Sequence, residues 1–122
     1  MSEKKYSKDH EWIFCEDDVA TVGITNYAQE SLGDIVFIDL PEIGRLVNAG
    51  DQVGVIESVK AANDIYSPVS GEIIEVNIEL QKSPQIINED PENTGWYMKI
   101  KLNNTEELKK LMNLEEYMEI IK

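Results

Sequence analysis

The chain has 122 residues, enough for one hydrophobic core but not for two independent ones. Its formal charge of −13 argues against nucleic-acid binding, which needs a basic footprint, and suits docking onto basic partner surfaces. A single Cys15 and a single His10 exclude an internal disulfide and a Cys/His zinc cluster.

No stretch has the apolar length of a membrane span. Met1-Ser-Glu-Lys-Lys5 has no apolar segment behind it, so a cytoplasmic protein beginning at its own Met1 is the simplest expectation. Trp12-Ile-Phe-Cys15 and Val19-Ala-Thr-Val-Gly-Ile24 favour β structure and are separated by an acidic turn, Glu16-Asp17-Asp18. Asn26 followed by Gln29 predicts a capped helix of about one and a half turns ending at Gly33. Asp34 to Leu40 reads as a buried strand stopped by Pro41. Turn material from Gly44 to Gly50 then leads into a strand that runs toward Lys60.

Asn63-Asp-Ile-Tyr66 returns as a strand, Ser67 to Gly71 makes a turn, and Glu72 to Ile78 is a further strand. The two segments Leu46 to Val53 and Pro68 to Ile73 each place a glycine turn before a Val/Ile strand, as halves of a quasi-repeat flanking Lys60. Gln81 to Gly95 is polar, contains Pro84 and Pro91, and reads as a long surface loop. Trp96, Met98, Ile100 and Leu102 alternate onto one face of a strand. Asn104 with Glu107 and Asn113 with Glu116 predict two capped C-terminal helices, the second with Leu114, Tyr117, Met118 and Ile121 docked on the sheet. This order predicts an all-β sandwich or flattened barrel with a short helix after residue 25 and C-terminal helices, one domain over residues 1–122.

Lys60 is the residue this pattern does not absorb. It sits at a bend without the Gly, Asn or Asp that tight hairpins want at positive φ. Two registers fit. With Lys60 and Ala61 as turn residues Glu57 opposes Asp64; with Val59 and Lys60 central Glu57 opposes Ala62, and a type I turn with a twisted or bulged exit is then favoured because a β-branched residue resists positive φ. Either way the amine is presented outward among the small side chains Ser58, Ala61 and Ala62. A Schiff-base lysine needs a desolvated pocket or a cationic neighbour, whereas Glu57 and Asp64 favour the charged form, so a carrier lysine fits better than a reactive one. His10 has no nucleophile beside it, Cys15 reads as a small core residue, and Trp12 and Trp96 as packing residues.

Gly54-Val-Ile-Glu-Ser-Val-Lys-Ala61 resembles the lipoyl-attachment motif of the glycine cleavage system H protein family. The resemblance extends through Lys8-Asp-His-Glu-Trp12, Ala20-Thr-Val-Gly-Ile-Thr-Asn-Tyr-Ala-Gln29, Leu32-Gly-Asp-Ile-Val-Phe37, Ser67-Pro-Val-Ser-Gly-Glu72, Val76-Asn77, Asn88-Glu-Asp-Pro91 and Gly95-Trp96. It implies a lipoyl/biotinyl-type β-sandwich, the barrel-sandwich hybrid, with lipoate amide-linked to Lys60 and Glu57, Ser58, Val59 and Ala61 forming the recognition turn. It further implies a non-catalytic shuttle. Glycine decarboxylase (P protein) would load an aminomethyl group, aminomethyltransferase (T protein) would remove it, and dihydrolipoamide dehydrogenase (L protein) would reoxidise the dithiol. A lipoate ligase or a lipoyl/octanoyl transferase would install the group, and the chemistry would belong to cofactor and partners.

The resemblance also implies a cleft that receives the loaded arm, with Glu11 and Asp64 facing its protonated amine. The chain departs from the common pattern at Gln81-Lys-Ser-Pro84 and at Ser31, positions expected to be peripheral to attachment. The alternatives left open are a lipoate relay protein, which uses the same residues, and a lipoyl domain of a 2-oxo acid dehydrogenase, which normally lacks such long terminal additions. A biotin carrier fits less well, because Val59 and Ala61 stand where methionines usually flank the lysine.

Overall fold

The computed structural model describes residues 4–122. The expectation about Met1 to Glu3 lies outside the described residues. Among the described residues nine strands form two antiparallel sheets: β1 Lys4–Tyr6, β2 Glu11–Glu16, β3 Val19–Ile24, β4 Ile35–Asp39, β5 Leu46–Val47, β6 Gln52–Ser58, β7 Ala62–Tyr66, β8 Gly71–Val76 and β9 Met98–Leu102. The larger sheet runs β1-β2-β3-β9-β8-β5 and the smaller β4-β6-β7. Period-two alternation sends Ile13, Val22, Ile73 and Ile100 of the first sheet and Ile38, Ile56 and Ile65 of the second into one common core. The β-sandwich predicted from sequence is present.

Local chemistry explains the connections. Asp17 and Asp18 have φ of 49° and 67°, the primed turn that a two-residue hairpin between Glu16 and Val19 requires, and short polar side chains tolerate it. Helix α1, Asn26–Leu32, is capped one residue earlier than predicted: Thr25 Oγ1 accepts from the Ala28 N–H at 3.2 Å. Asn26 instead turns outward to Glu30 and Gln29. Gly33, with φ 83°, ends the helix as expected.

Four expectations need correction. Strand β4 is an edge strand with a bulge between Ile35 and Phe37, which buries Ile35 and Ile38 but leaves Val36 and Phe37 exposed. Residues 81–95 are no simple loop, since two four-residue helices, α2 Glu79–Lys82 and α3 Ile86–Glu89, each drive one fully buried side chain into the core, Leu80 and Ile87. Asn88 adds a clamp there, accepting from Ile35 N–H at 2.8 Å and donating to the Gly33 carbonyl at 2.9 Å. In the quasi-repeat, Gly50 makes a turn at φ 94°, but Gly71 lies within β8, where its α-carbon packs too closely on the Lys101 carbonyl for any side chain.

The C-terminal stripe is the fourth. Thr105–Lys110 is a 3-10 helix whose Glu107 bonds to Ser70 rather than completing a capping box, while Asn113 and Glu116 do form the predicted box on α4, Leu114–Ile120. Only Tyr117 of the α4 stripe is buried, stacked on Tyr6 with ring centroids 4.8 Å apart; Leu114 and Met118 stay exposed. Among the described residues no helix is long and apolar enough to cross a membrane.

Candidate functional site

Lys60 sits at the apex of the β6–β7 hairpin. The register pairs Glu57 with Ala62, so Val59 and Lys60 are the central residues, and neither has positive φ. Ser58 makes that possible. Its Oγ accepts from the Lys60 N–H at 3.1 Å and the Ala61 N–H at 3.3 Å, while its own N–H donates to the Ala61 carbonyl at 2.9 Å. A hydroxyl thus supplies the partners that a Gly- or Asn-bearing turn would arrange through its backbone. Val59 N–H donates to the Asp34 carbonyl at 3.0 Å, fastening the apex to the start of β4.

The lysine is exposed, as expected, but its stem lies back over the end of α1. A β-carbon on Gly33 would come within 3.2 Å of Lys60 Cε, and the ammonium reaches the Ser31 carbonyl at 3.5 Å. Gly33 therefore gives clearance as well as its positive φ. Ser31, expected to be peripheral, touches the Lys60 amine through its main chain. Glu57 flanks the turn half-buried, register-opposed to Phe37 on β4, and Val59 at the apex and Val36 and Phe37 on β4 are exposed apolar side chains.

A cleft of about 520 Å³ opens beside this amine. Ser31 and Leu32 from α1 line it, and Lys60 reaches the Ser31 carbonyl; Asn63 and Asp64 from β7, the strand that follows the lysine turn, line it as well. Glu11 and Tyr97 line it too. The structure thus places Glu11 and Asp64, paired in the sequence reading, on one cavity. They differ sharply in setting. Asp64 is exposed and accepts from the Tyr66 hydroxyl at 3.4 Å. Glu11 is only 3% exposed, with Ser7 Oγ donating to its Oε1 at 2.9 Å. Burial pushes the Glu11 carboxyl up to about 8, against the opposing pull of the Ser7 hydrogen bond, so at neutral pH it is largely protonated.

The loop that presents Glu11 is held from the far end of the chain. His10 adopts left-handed backbone, φ 65°, and its Nδ1 lies 2.9 Å from the Tyr117 hydroxyl, which also bonds Thr25 Oγ1 at 2.6 Å. His10 is accordingly a hydrogen-bonding residue, as expected, and it lines the cleft. Trp12 packs with its indole N–H on the Pro91 carbonyl at 2.9 Å, and Cys15 is partly buried against the core.

Sequence reasoning missed Tyr97. The alternation placed Trp96 in phase with Met98, but β9 begins only at Met98, and the irregular backbone before it turns Tyr97 fully inward. It missed Ser58 as the turn's hydrogen-bond hub as well; a serine two residues before a glycine-free bend was the available signal. On the expectation from the sequence that Lys60 is enzymatically acylated, Ser58→Ala should slow that reaction several-fold while unfolding free energy changes by about 1 kcal/mol or less, because one exposed hydroxyl is lost from a turn. Modification kinetics equal to those of the parent would sink that role.

Comparison with known proteins adds the lineage. A family model described as "Glycine cleavage H-protein" matches residues 4–122. The chain is 51% identical over 121 residues to a protein named glycine cleavage system H protein from Xanthobacter autotrophicus, covering 99% of this chain and 97% of that one. With the protein of the same name from Thermotoga maritima it shares 55% identity over 119 residues, covering 98% and 96%. Its fold superimposes on the crystal structure of a glycine cleavage system H protein from Mycobacterium marinum with a TM-score of 0.89 at 37% identity, over 96% of this chain and 94% of that chain.

Proposed function

Because the chain belongs to the glycine cleavage H-protein family, we propose that Lys60 is its lipoyl attachment residue and that the adjoining cleft receives the loaded end of the arm. The protein is the lipoyl carrier of the glycine cleavage system, a carrier component. The observation that supports Lys60 is its place: an exposed primary amine on a pinned hairpin apex, at the rim of a cleft whose polar floor is partly unsatisfied.

The residues suit the group. Amide formation needs a free amine with clearance, and Ser58, Ala61 and Ala62 are small while Gly33 has no side chain beneath the stem. Bound lipoate would supply a dithiolane able to accept and surrender an aminomethyl group. This chain's contribution is to present, recognise and shelter. Glu57, Ser58, Val59 and Ala61 form the surface that a lipoate ligase or lipoyl/octanoyl transferase reads, with exposed Val36 and Phe37 adding apolar grip. Glu11 and Asp64 face an incoming ammonium. Asp64 offers a solvated acid at the mouth, and Glu11 a buried one that ionises when a cation arrives. Glycine decarboxylase, aminomethyltransferase and dihydrolipoamide dehydrogenase are the proposed partners, and the strong negative charge would steer encounters with basic faces on them.

Intact mass measurement of the protein from its native source tests the attachment. A lipoyl-sized addition mapping to Lys60 is expected, and a biotin-sized one or an addition at another lysine overturns it. For the cleft, Glu11→Gln and Asp64→Asn in the lipoylated chain should each shorten the lifetime of the aminomethyl-loaded state. Unchanged lifetimes in both would remove the sheltering role.

A further inference from the structure

Among the described residues Tyr97 carries the only buried side-chain nitrogen or oxygen without a hydrogen-bond partner, and it lines this cleft. Its ring is fully buried, and its hydroxyl oxygen has no hydrogen-bond partner among the described residues. Such groups are rare in folded proteins, because a phenol removed from water forfeits bonds it had there. The main chain gives it no freedom to escape. Tyr97 N–H donates to the Val22 carbonyl at 2.9 Å, and the Tyr97 carbonyl accepts from Asn77 N–H at 3.1 Å. A phenylalanine would fill the same space without an orphaned oxygen.

What lies near it defines the missing partner. Burial raises the phenol well above its ordinary value, with the cleft's acids Glu11 and Asp9 adding to it, so it remains an O–H rather than an anion. The oxygen of an unionised phenol accepts a hydrogen bond from a cationic donor, and the carboxyls beside it favour a cation over an anion. We propose that the Tyr97 hydroxyl is a specificity-determining contact of the cleft, accepting a hydrogen bond from a primary ammonium on the arm's loaded end and so favouring the loaded arm over the unloaded one. An apolar dithiolane leaves the oxygen unpaired; an amine does not. This inference rests on the reading that the cleft holds the loaded arm. A buried oxygen satisfied in one state and orphaned in the other distinguishes them by roughly tenfold.

Tyr97→Phe tests it. The lipoylated parent and variant are loaded with glycine and the decarboxylase, freed of that enzyme, and timed for ammonia release. A second sample of each carries tyrosine labelled with carbon-13 at the ring carbon bonded to oxygen, and the signal that vanishes in Tyr97→Phe identifies Tyr97. We expect release about tenfold faster in the variant and a displaced Tyr97 signal on loading of the parent. The unmodified variant should melt no lower than the unmodified parent, since its lost oxygen had no partner. If Glu11→Gln hastens release but Tyr97→Phe does not, the cleft shelters the arm and Tyr97 takes no part. If neither hastens release and the Tyr97 signal stays put, the cleft reading fails along with the proposal. A lower melting temperature in the unmodified variant would mean that a fixed water already satisfies the hydroxyl, which also overturns it.

Discussion

Lys60→Arg should abolish carrier function while leaving the fold intact. Glycine–bicarbonate exchange in the presence of the decarboxylase is expected to fall to the carrier-free level, by roughly a thousandfold or more, since covalent attachment has no partial form. Arginine keeps the charge and the reach but not the chemistry. Its guanidinium stays protonated and delocalised at any workable pH, so it cannot attack an activated acyl group as a free amine can. The structural cost is small. Lys60 is exposed, and among the described residues its one polar side-chain contact is the 3.5 Å approach to the Ser31 carbonyl, which a guanidinium can also make. Surface changes of this kind stay within about 0.5 kcal/mol, a shift of about 2 °C or less in melting temperature for a chain of this size. Intact mass after incubation with the lipoylating enzyme, exchange rate and thermal melt together decide it. Retained exchange would show that the cargo travels on some other group, and a collapsed melt would show that the lysine is structural.

The features legible in the sequence were those written as periodicity or as a local rule. β-favouring runs gave β2 and β3, a Val/Ile run after a turn gave β8, alternation gave β9, Gly33 gave the end of α1, and the Asn113/Glu116 pair gave the start of α4. Lys60 stood out because its turn broke the usual glycine rule, and the explanation lay two residues away in a serine hydroxyl. Helices α2 and α3 escaped because four residues cannot show a 3.6-residue period; each is recognised only by the one side chain, Leu80 or Ile87, that the core accepts. The faces of β4 were misread because a bulge shifts the alternation within the strand. Glu11 and Asp64 could be nominated together, but their contrast could not, since it depends on tertiary packing: Ser7 bonds the buried Glu11, and the loop before it is tied through His10 to Tyr117 on α4. Those contacts join residues as distant in sequence as His10 and Tyr117.

That contrast leads to the second large effect, which concerns Glu11 and pH. Its carboxyl is raised from 4.5 to about 8, so the folded chain holds a proton that the unfolded chain releases over this interval. The sign follows. Stability from the protonated acid is complete below pH 4.5, declines as pH rises, and is gone above about 8, a loss on the order of 5 kcal/mol. Glu11→Gln keeps the shape and the acceptor for Ser7 Oγ but cannot ionise. Urea unfolding of parent and variant at pH 4.5 and 8.5 should therefore give similar stabilities at the lower pH and a variant several kcal/mol more stable at the higher. Every other titrating group is common to both, so the difference isolates Glu11, and parallel pH profiles would rule out the buried, proton-holding acid. The same variant should hold its cargo less well. An ammionium-free cleft favours the neutral acid, whereas a docked ammonium favours the carboxylate, so docking expels a proton and strengthens as pH rises toward 8. The ratio of release rates, variant over parent, should grow across that range, which cancels the pH dependence of release in water. A ratio that stays flat would separate Glu11 from the cargo, leaving a residue that costs the fold stability at alkaline pH and returns nothing in the cleft.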